Sequence, residues 1–162
     1  MDRLRSRAPK GERTYGKVPR NRAKNTTLVA SMGLAGMGES MVVEGATDSE
    51  VFEVYVEHFL LAPTLSAGQV VVLDRLGAHR PKRVRELIEA RGAELAFLPS
   101  YSPDLNPIEQ AFSKIKNTLR KVGARTHETL VEAMSWALGE VTPRDAAGWF
   151  DHCGYEVEVQ YL

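Results

Sequence analysis

The chain has 162 residues, 43% of them apolar, which suffices for one domain with a hydrophobic core. The single cysteine, Cys153, excludes a disulfide framework and fits a cytoplasmic protein, and no apolar run is long enough for a membrane span. The net charge of zero hides an asymmetry, because residues 1–27 carry nine Lys/Arg and two acids (+7) whereas residues 28–162 carry twelve and nineteen (−7).

Residues 1–25 form a basic arm without a sustained hydrophobic period and are predicted to be extended or a loop. Two interpretations stay open for this arm. It binds a polyanion such as DNA, since contacts to phosphates release counterions, or it is a solvated tail.

A β-hairpin and a helix are predicted next. The β-prone runs Thr26–Leu34 and Ser40–Gly45 are separated by a loose turn at residues 36–38. Thr47 and Glu50 form a capping-box pattern, which indicates that a helix begins there.

A strand, a crossover helix and a second strand follow. Residues Gln69–Leu73 are almost all Val and Leu without alternation, which favours a strand buried on both faces of a mixed or parallel sheet. The crossover helix is predicted between Pro81 and Gly92, and the second strand at Ala93–Leu98.

Three helices complete the chain. The strongest helical pattern is formed by apolar residues at intervals of three and four, namely Leu105, Ile108, Phe112, Ile115, Leu119 and Val122. Further helices are predicted at 127–139 and 143–152, the second with Thr142 as its cap. Trp136, Trp149 and Cys153 are predicted packing residues, and 156–162 alternate like a short strand.

Two carboxylates are candidates for chemistry. Asp74 follows the apolar strand, at the edge where open α/β sheets place ligands, although an aspartate there is also typical of a cap or turn. Glu109 lies one step off the apolar seam of the periodic helix, with Leu105 and Phe112 as predicted buried neighbours, so we expect it to border the core. The alternative is an ordinary first-turn glutamate favoured by the helix dipole.

The sequence around both carboxylates resembles a known family. Residues 71–80 read VVLDRLGAHR and residues 98–116 read LPSYSPDLNPIEQAFSKIK, with 34 residues between Asp74 and Glu109. These stretches are similar to the second and third catalytic boxes of mariner-type transposases, particularly their bacterial insertion-sequence branch. Arg75 stands where that family usually has asparagine, and Ser100 stands where it usually has a second proline.

The resemblance implies a ribonuclease H-like α/β fold, a mixed sheet with flanking helices, and metal-dependent DNA cleavage and strand transfer. Asp74 and Glu109 would be catalytic ligands of Mg²⁺ or Mn²⁺, since magnesium prefers oxygen ligands. The implied partners are transposon ends and target DNA, and the implied location is the nucleoid. Candidate DNA-binding residues are His79, Asn106, Lys114, Lys116, Arg120 and Lys121. A capping or surface role fits His79 equally well, and Asn106 could instead orient Glu109 or cap the helix.

The resemblance starts after the point where the family has its first, central strand and a third catalytic carboxylate. Neither Asp2 nor Asp48 is accepted as a substitute. We therefore expect a truncated or split transposase, with a basic arm at 1–25, a partial catalytic domain at 26–155 and a tail at 156–162. Weak binding of a single ion, little activity alone, and self-association or pairing with an amino-terminal fragment follow from this expectation.

Two other functions are compatible with the sequence. The chain could be a catalytically dead remnant that binds DNA or a transposase. It could also be a small doubly wound domain with Asp74 as a ligand carboxylate, but this interpretation leaves the stretch YSPDLNPIEQAF unexplained.

Overall fold

The structure, a computed structural model, describes residues 9–10, 25–60, 65–77 and 82–157. These residues form a mixed α/β domain, which confirms the predicted class and element order. The elements are β1 Thr26–Gly33, β2 Gly36–Glu44, α1 Ser49–Tyr55, β3 Val70–Leu73, α2 Lys82–Glu89, β4 Glu94–Phe97, α3 Pro107–Val122, α4 His127–Gly139 and α5 Pro143–His152. A π-helical turn, Val56–Leu60, extends α1, and a 3-10 turn, Pro103–Leu105, precedes α3.

Strands β1 and β2 form an antiparallel hairpin with a tighter turn than predicted. Their register runs from Thr26 opposite Glu44 to Gly33 opposite Gly36, so the reversal uses residues 34–35. The predicted turn residues belong to β2 instead. Gly36 has a φ of +112°, and a Cβ there would lie 2.9 Å from the Val141 carbonyl oxygen, so glycine permits both the sharp reversal and this approach.

Helix α1 begins one residue later than the capping-box pattern predicted. The carboxylate of Asp48 accepts a hydrogen bond of 2.9 Å from the Val51 N–H, whereas the Thr47 hydroxyl is buried and has no hydrogen-bond partner among the described residues. A carboxylate caps a helix at least as well as a threonine and also interacts favourably with the helix dipole. The choice of Thr47 as the cap is therefore wrong, and Asp48 is the residue that caps α1.

Strands β3 and β4 pair in parallel, with Val70 opposite Glu94 and Leu73 opposite Phe97, and α2 makes the crossover. The prediction that β3 is buried on both faces is wrong, because Val70 and Val72 are 55% and 40% exposed. Val71 and Leu73 face the core under α2, but no described element covers the other face.

The β1–β2 hairpin lies between two core clusters. Val29 packs on the cluster formed by α1, its π-helical turn and α2, whereas its neighbour Leu28 packs on the cluster formed by α3 and α4. Since successive strand residues point to opposite faces, the hairpin is the middle layer of the domain. Within the described ranges no strand pairing joins the β1–β2 sheet to the β3–β4 sheet.

The last two helices have the predicted bounds. Thr126 and Thr142 form capping boxes with residues three positions later, and Pro143 starts α5, so local signals define these ends. Cys153 is buried and Trp149 packs on the second core, as predicted, but the prediction for Trp136 is wrong because its side chain is 54% exposed.

The structure describes only the first two residues of the terminal strand predicted at 156–162. Glu156 and Val157 are not in a strand, and the rest of the predicted terminal strand lies outside the described residues.

No helix among the residues that the structure describes is long and apolar enough to cross a membrane.

Candidate active site

Asp74 is the first residue beyond the carboxyl end of β3. Its Oδ1 accepts a hydrogen bond of 3.1 Å from the Leu76 N–H, which forms a local turn that orients the carboxylate. The residue is half-buried. Asp74 therefore lies at the carboxyl edge of the sheet, and the turn fixes the position of its carboxylate.

Glu109 is the third residue of α3. The helix begins with Asn106 at the cap position and Pro107 at the first turn, and the Glu109 N–H donates to the Asn106 carbonyl oxygen over 3.1 Å. The expectation that Glu109 borders the core is wrong. Its side chain is exposed, and Leu105, one of its predicted buried neighbours, is 36% exposed.

Glu109 is exposed because the buried stripe of α3 runs along another face of the helix. The helix buries Pro107, Ala111, Ile115 and Leu119, which recur every four residues. The predicted seam through Leu105 and Val122 extended too far at both ends, since Leu105 lies in the 3-10 turn and Val122 is 46% exposed.

Asp74 and Glu109 line one cleft of about 470 Å³. The loop after β3 supplies residues 74–77, the loop after β4 supplies residues 98–103, and α3 supplies Asn106 and Glu109. Parallel pairing places the carboxyl ends of β3 and β4 side by side, which is where open α/β sheets bind ligands. Two acids separated by 34 residues in the chain thus reach the same cavity.

The start of α3 is held by the end of α5. The Tyr155 hydroxyl donates to the Leu105 carbonyl oxygen over 3.0 Å, and the Gln110 amide donates to Cys153 Sγ over 3.5 Å. The Tyr155 ring also packs edge-on against Phe150, with centroids 5.5 Å apart. Sequence reasoning missed these contacts, because nothing local signals a contact across 50 residues.

Apart from Lys114, the predicted DNA-binding residues divide into three groups. Asn106 lines the cleft, although its side chain makes no capping hydrogen bond. Lys116 and Lys121 are exposed on α3, and Arg120 is half-buried with its guanidinium donating to Asn117 over 3.0 Å. His79 lies outside the described residues.

Lys114 differs from the other lysines of α3. Its Nζ donates to the Glu140 carbonyl oxygen over 2.6 Å and to Asp145 Oδ2 over 2.7 Å. The same carboxylate accepts hydrogen bonds from the N–H and hydroxyl of Thr142, the cap of α5. Lys114 therefore joins α3 to the α4–α5 connection.

Two strongly shifted pKa values belong to structural contacts outside the cleft. The hydrogen bond from Lys114, followed by those from Thr142, lowers the pKa of Asp145 to about 2. Burial raises the pKa of Tyr55 to about 12, and its hydroxyl donates to the Glu39 carbonyl oxygen over 2.8 Å.

The donor atoms of the cleft suit a hard cation. Asp74, Glu109 and Asn106 offer carboxylate and amide oxygens, the ligands that magnesium prefers, and magnesium keeps several waters. In the described parts of the chain, no group of three or more His, Cys, Asp or Glu residues is placed to share one ion. Asp74 and Glu109 are the two carboxylates among the residues that line this cleft.

Tyr101 was not singled out from the sequence. It lines the cleft, is fully exposed and has a φ of +60°. The available signal was its position between Pro99 and Pro103, which indicates a stiff loop.

A family model described as DDE superfamily endonuclease matches residues 1–131. No curated protein sequence matches the chain.

Several solved structures have a similar fold. A Mos1 mariner paired end complex with Mn and one with Mg each have 16% identity and a TM-score of 0.71, with 94% of this chain and 49% of that chain covered. A pre-cleavage Mos1 transpososome has 15% identity and a TM-score of 0.68, covering 97% of this chain and 53% of that chain. At this level of sequence identity the likeness shows the fold alone. The chain spans about half the length of these proteins.

Proposed function

The chain belongs to the DDE superfamily endonuclease family, and on this basis we propose that it is catalytic-domain sequence of a DNA transposase. Its reaction would be metal-dependent cleavage and strand transfer of an insertion element. The observation that carries the proposal is that Asp74 and Glu109, from two separate sequence boxes, line one cleft that is open to solvent.

A divalent ion, when bound, would activate the attacking oxygen and stabilise the leaving oxygen of a phosphodiester. Asp74 and Glu109 would hold this ion, and both Mg²⁺ and Mn²⁺ are compatible with their oxygen donors. Two of the similar structures are Mos1 mariner complexes with Mn and with Mg, which supports the same choice of cation.

The protein itself would contribute by positioning the two carboxylates. The turn at Asp74 and the first turn of α3 hold the two carboxylates on different elements, so a phosphate entering the cleft meets both. Tyr155 holds the segment before α3 through the Leu105 carbonyl oxygen and so maintains the direction of Glu109. Pre-organised ligands of this kind lower the reorganisation needed during the reaction.

The proposed DNA path continues along α3. Lys116 and Arg120 follow Glu109 at helical intervals of seven and eleven, so they extend its polar stripe away from the cleft. Together with Lys121 they are proposed to contact phosphates, as is the basic arm at 1–25, most of which lies outside the described residues. The Nζ of Lys114 instead serves the contact with Asp145.

A further strand is proposed to complete the site. The β1–β2 and β3–β4 sheets share the core formed by α1 and α2, yet they are not hydrogen-bonded to each other in the described part of the chain. Among the residues that the structure describes, strands β1 and β3 each pair on one side only, so each leaves backbone groups for an added strand. We propose that such a strand, from an upstream segment or a partner polypeptide, brings a third carboxylate.

The test is nicking of supercoiled plasmid DNA in Mg²⁺ or Mn²⁺. The full chain would be assayed alone and with the polypeptide encoded immediately upstream supplied in trans. We expect little cleavage by the chain alone and clear cleavage by the mixture. Asp74→Asn or Glu109→Gln should reduce the cleavage to background.

The matched control is Asp104→Asn, because Asp104 is an exposed acid close to Glu109 in sequence that does not line the cleft. This variant should cleave like the wild type. Cleavage that survives Asp74→Asn and Glu109→Gln would disprove the proposal. DNA binding without cleavage in every mixture would instead support a catalytically dead remnant.

A further inference from the structure

Tyr101 combines an unusual position with full exposure. It lies between β4 and the 3-10 turn, and its side chain is 100% exposed. A single exposed aromatic residue is common on protein surfaces and needs no explanation by itself. Tyr101 is distinguished by lining the same cleft as Asp74 and Glu109.

The backbone of Tyr101 adds a second observation. Its φ of +60° is the only positive value among the described non-glycine residues. The left-handed region disfavours residues with a Cβ, and glycine or asparagine fits it better. Such conformations persist where the surroundings enforce them, and they cluster at ligand-binding sites. Pro99 and Pro103 restrict the loop on both sides.

The chemistry of an exposed phenol ring at this place suits a nucleobase. Both faces of the ring are open to solvent, and every base has a flat face that stacks on an aromatic side chain. Within a duplex both faces of a base are already stacked on its neighbours. Away from a duplex end, the ring can therefore receive only a base that is unpaired or turned out of the helix.

We propose that Tyr101 is a stacking platform for an unpaired nucleobase adjacent to the scissile phosphate. This inference rests on the proposed function, because the carboxylates that share the cleft would hold that phosphate. Stacking is tolerant of sequence, so Tyr101 would position a flanking nucleotide irrespective of its identity.

The test measures affinity for a fluorescent DNA duplex that ends in a short single-stranded overhang containing 2-aminopurine. The full chain would be compared with three variants. Tyr101→Phe retains the ring and loses the hydroxyl, and Tyr101→Leu retains apolar bulk without a ring. Tyr101→Gly removes the side chain but suits the backbone conformation, so a loss of binding cannot be ascribed to misfolding.

We expect Tyr101→Phe to bind like the wild type, and Tyr101→Gly and Tyr101→Leu to bind about 5- to 150-fold more weakly, the range for one stacked base. The dependence of affinity on salt should stay unchanged, because no phosphate contact is lost. The 2-aminopurine fluorescence should be quenched by the wild type but not by Tyr101→Gly. An abasic site in place of 2-aminopurine should remove the difference between wild type and variants.

Several outcomes would overturn the inference. Wild-type affinity of Tyr101→Gly, or an equal loss on abasic DNA, rejects stacking while leaving the proposed function intact. A loss in Tyr101→Phe as large as that in Tyr101→Gly assigns the effect to the hydroxyl and also rejects stacking. Failure of the wild-type chain to bind any DNA rejects the proposed function and this inference together.

Discussion

Comparing Lys114→Met with Lys116→Met distinguishes a lysine that stabilises the fold from one that is proposed to contact DNA. The substitution retains most of the aliphatic side chain and removes the ammonium that bonds to Glu140 and Asp145. Lys116→Met, two residues along the same helix, removes an exposed lysine. We expect the first variant to lose stability and the second to lose DNA affinity.

The magnitude follows from the two hydrogen bonds and their exposure. A hydrogen bond to a charged group contributes about 1.5–3 kcal/mol, but the Lys114 and Asp145 side chains are 35% and 31% exposed, so solvent screens the pair. We expect Lys114→Met to lower the free energy of unfolding by about 1–2 kcal/mol. For a chain of this size each kcal/mol lowers Tm by about 2–4 °C.

The effect should depend on pH in a defined window. The pKa of the Asp145 carboxyl is lowered from 3.8 to about 2, chiefly by Lys114. A carboxyl with a lowered pKa in the folded state contributes stability above its unfolded pKa, and this contribution is lost as the pH falls through the folded pKa. The stability difference between the wild type and Lys114→Met should therefore be complete at neutral pH and shrink from about pH 4 to pH 2.

Urea unfolding followed by circular dichroism measures the stabilities, and the salt dependence of DNA affinity measures phosphate contacts. Lys116→Met should leave the unfolding free energy within about 0.5 kcal/mol of wild type and reduce the salt slope by about 1. The reasoning is refuted if Lys114→Met keeps the wild-type unfolding midpoint and changes the salt slope instead.

The remaining predictions concern the helices that carry the site, all measured by urea unfolding. Ile115→Ala should lower the free energy of unfolding by about 2–5 kcal/mol, because Ile115 is 1% exposed, whereas Val122→Ala at 46% exposure should change it by about 0.5 kcal/mol or less. Equal losses at the two positions would contradict the observed stripe of α3. Gly123→Ala should lower the free energy of unfolding by about 1–2 kcal/mol, since Gly123 ends α3 with a φ of +63°. Gly148→Ala, inside α5 with nothing within 4 Å of an added Cβ, should raise it by about 0.5–1 kcal/mol, and a loss there would contradict the open space seen at this position.

Local signals predicted much of this fold. The bounds of α4 and α5 follow from Thr126, Thr142 and Pro143, because a cap satisfies backbone groups within three residues of itself. The helical pattern ending at Val122 likewise identified α3, and the Val and Leu run identified β3. The boxes around Asp74 and Glu109 identified the family, since specific chemistry requires specific side chains in a short stretch.

Tertiary structure decided what each element faces. Val72 and Trp136 are exposed because burial depends on whether another element covers a side chain, and apolar character alone does not contain that information. Lys114 is a structural link for a similar reason, since its partner Asp145 comes from a helix 31 residues away in the chain. The meeting of Asp74 and Glu109 in one cleft depends on the parallel pairing of β3 with β4 and on the return of α3, and these long-range contacts have no local signature.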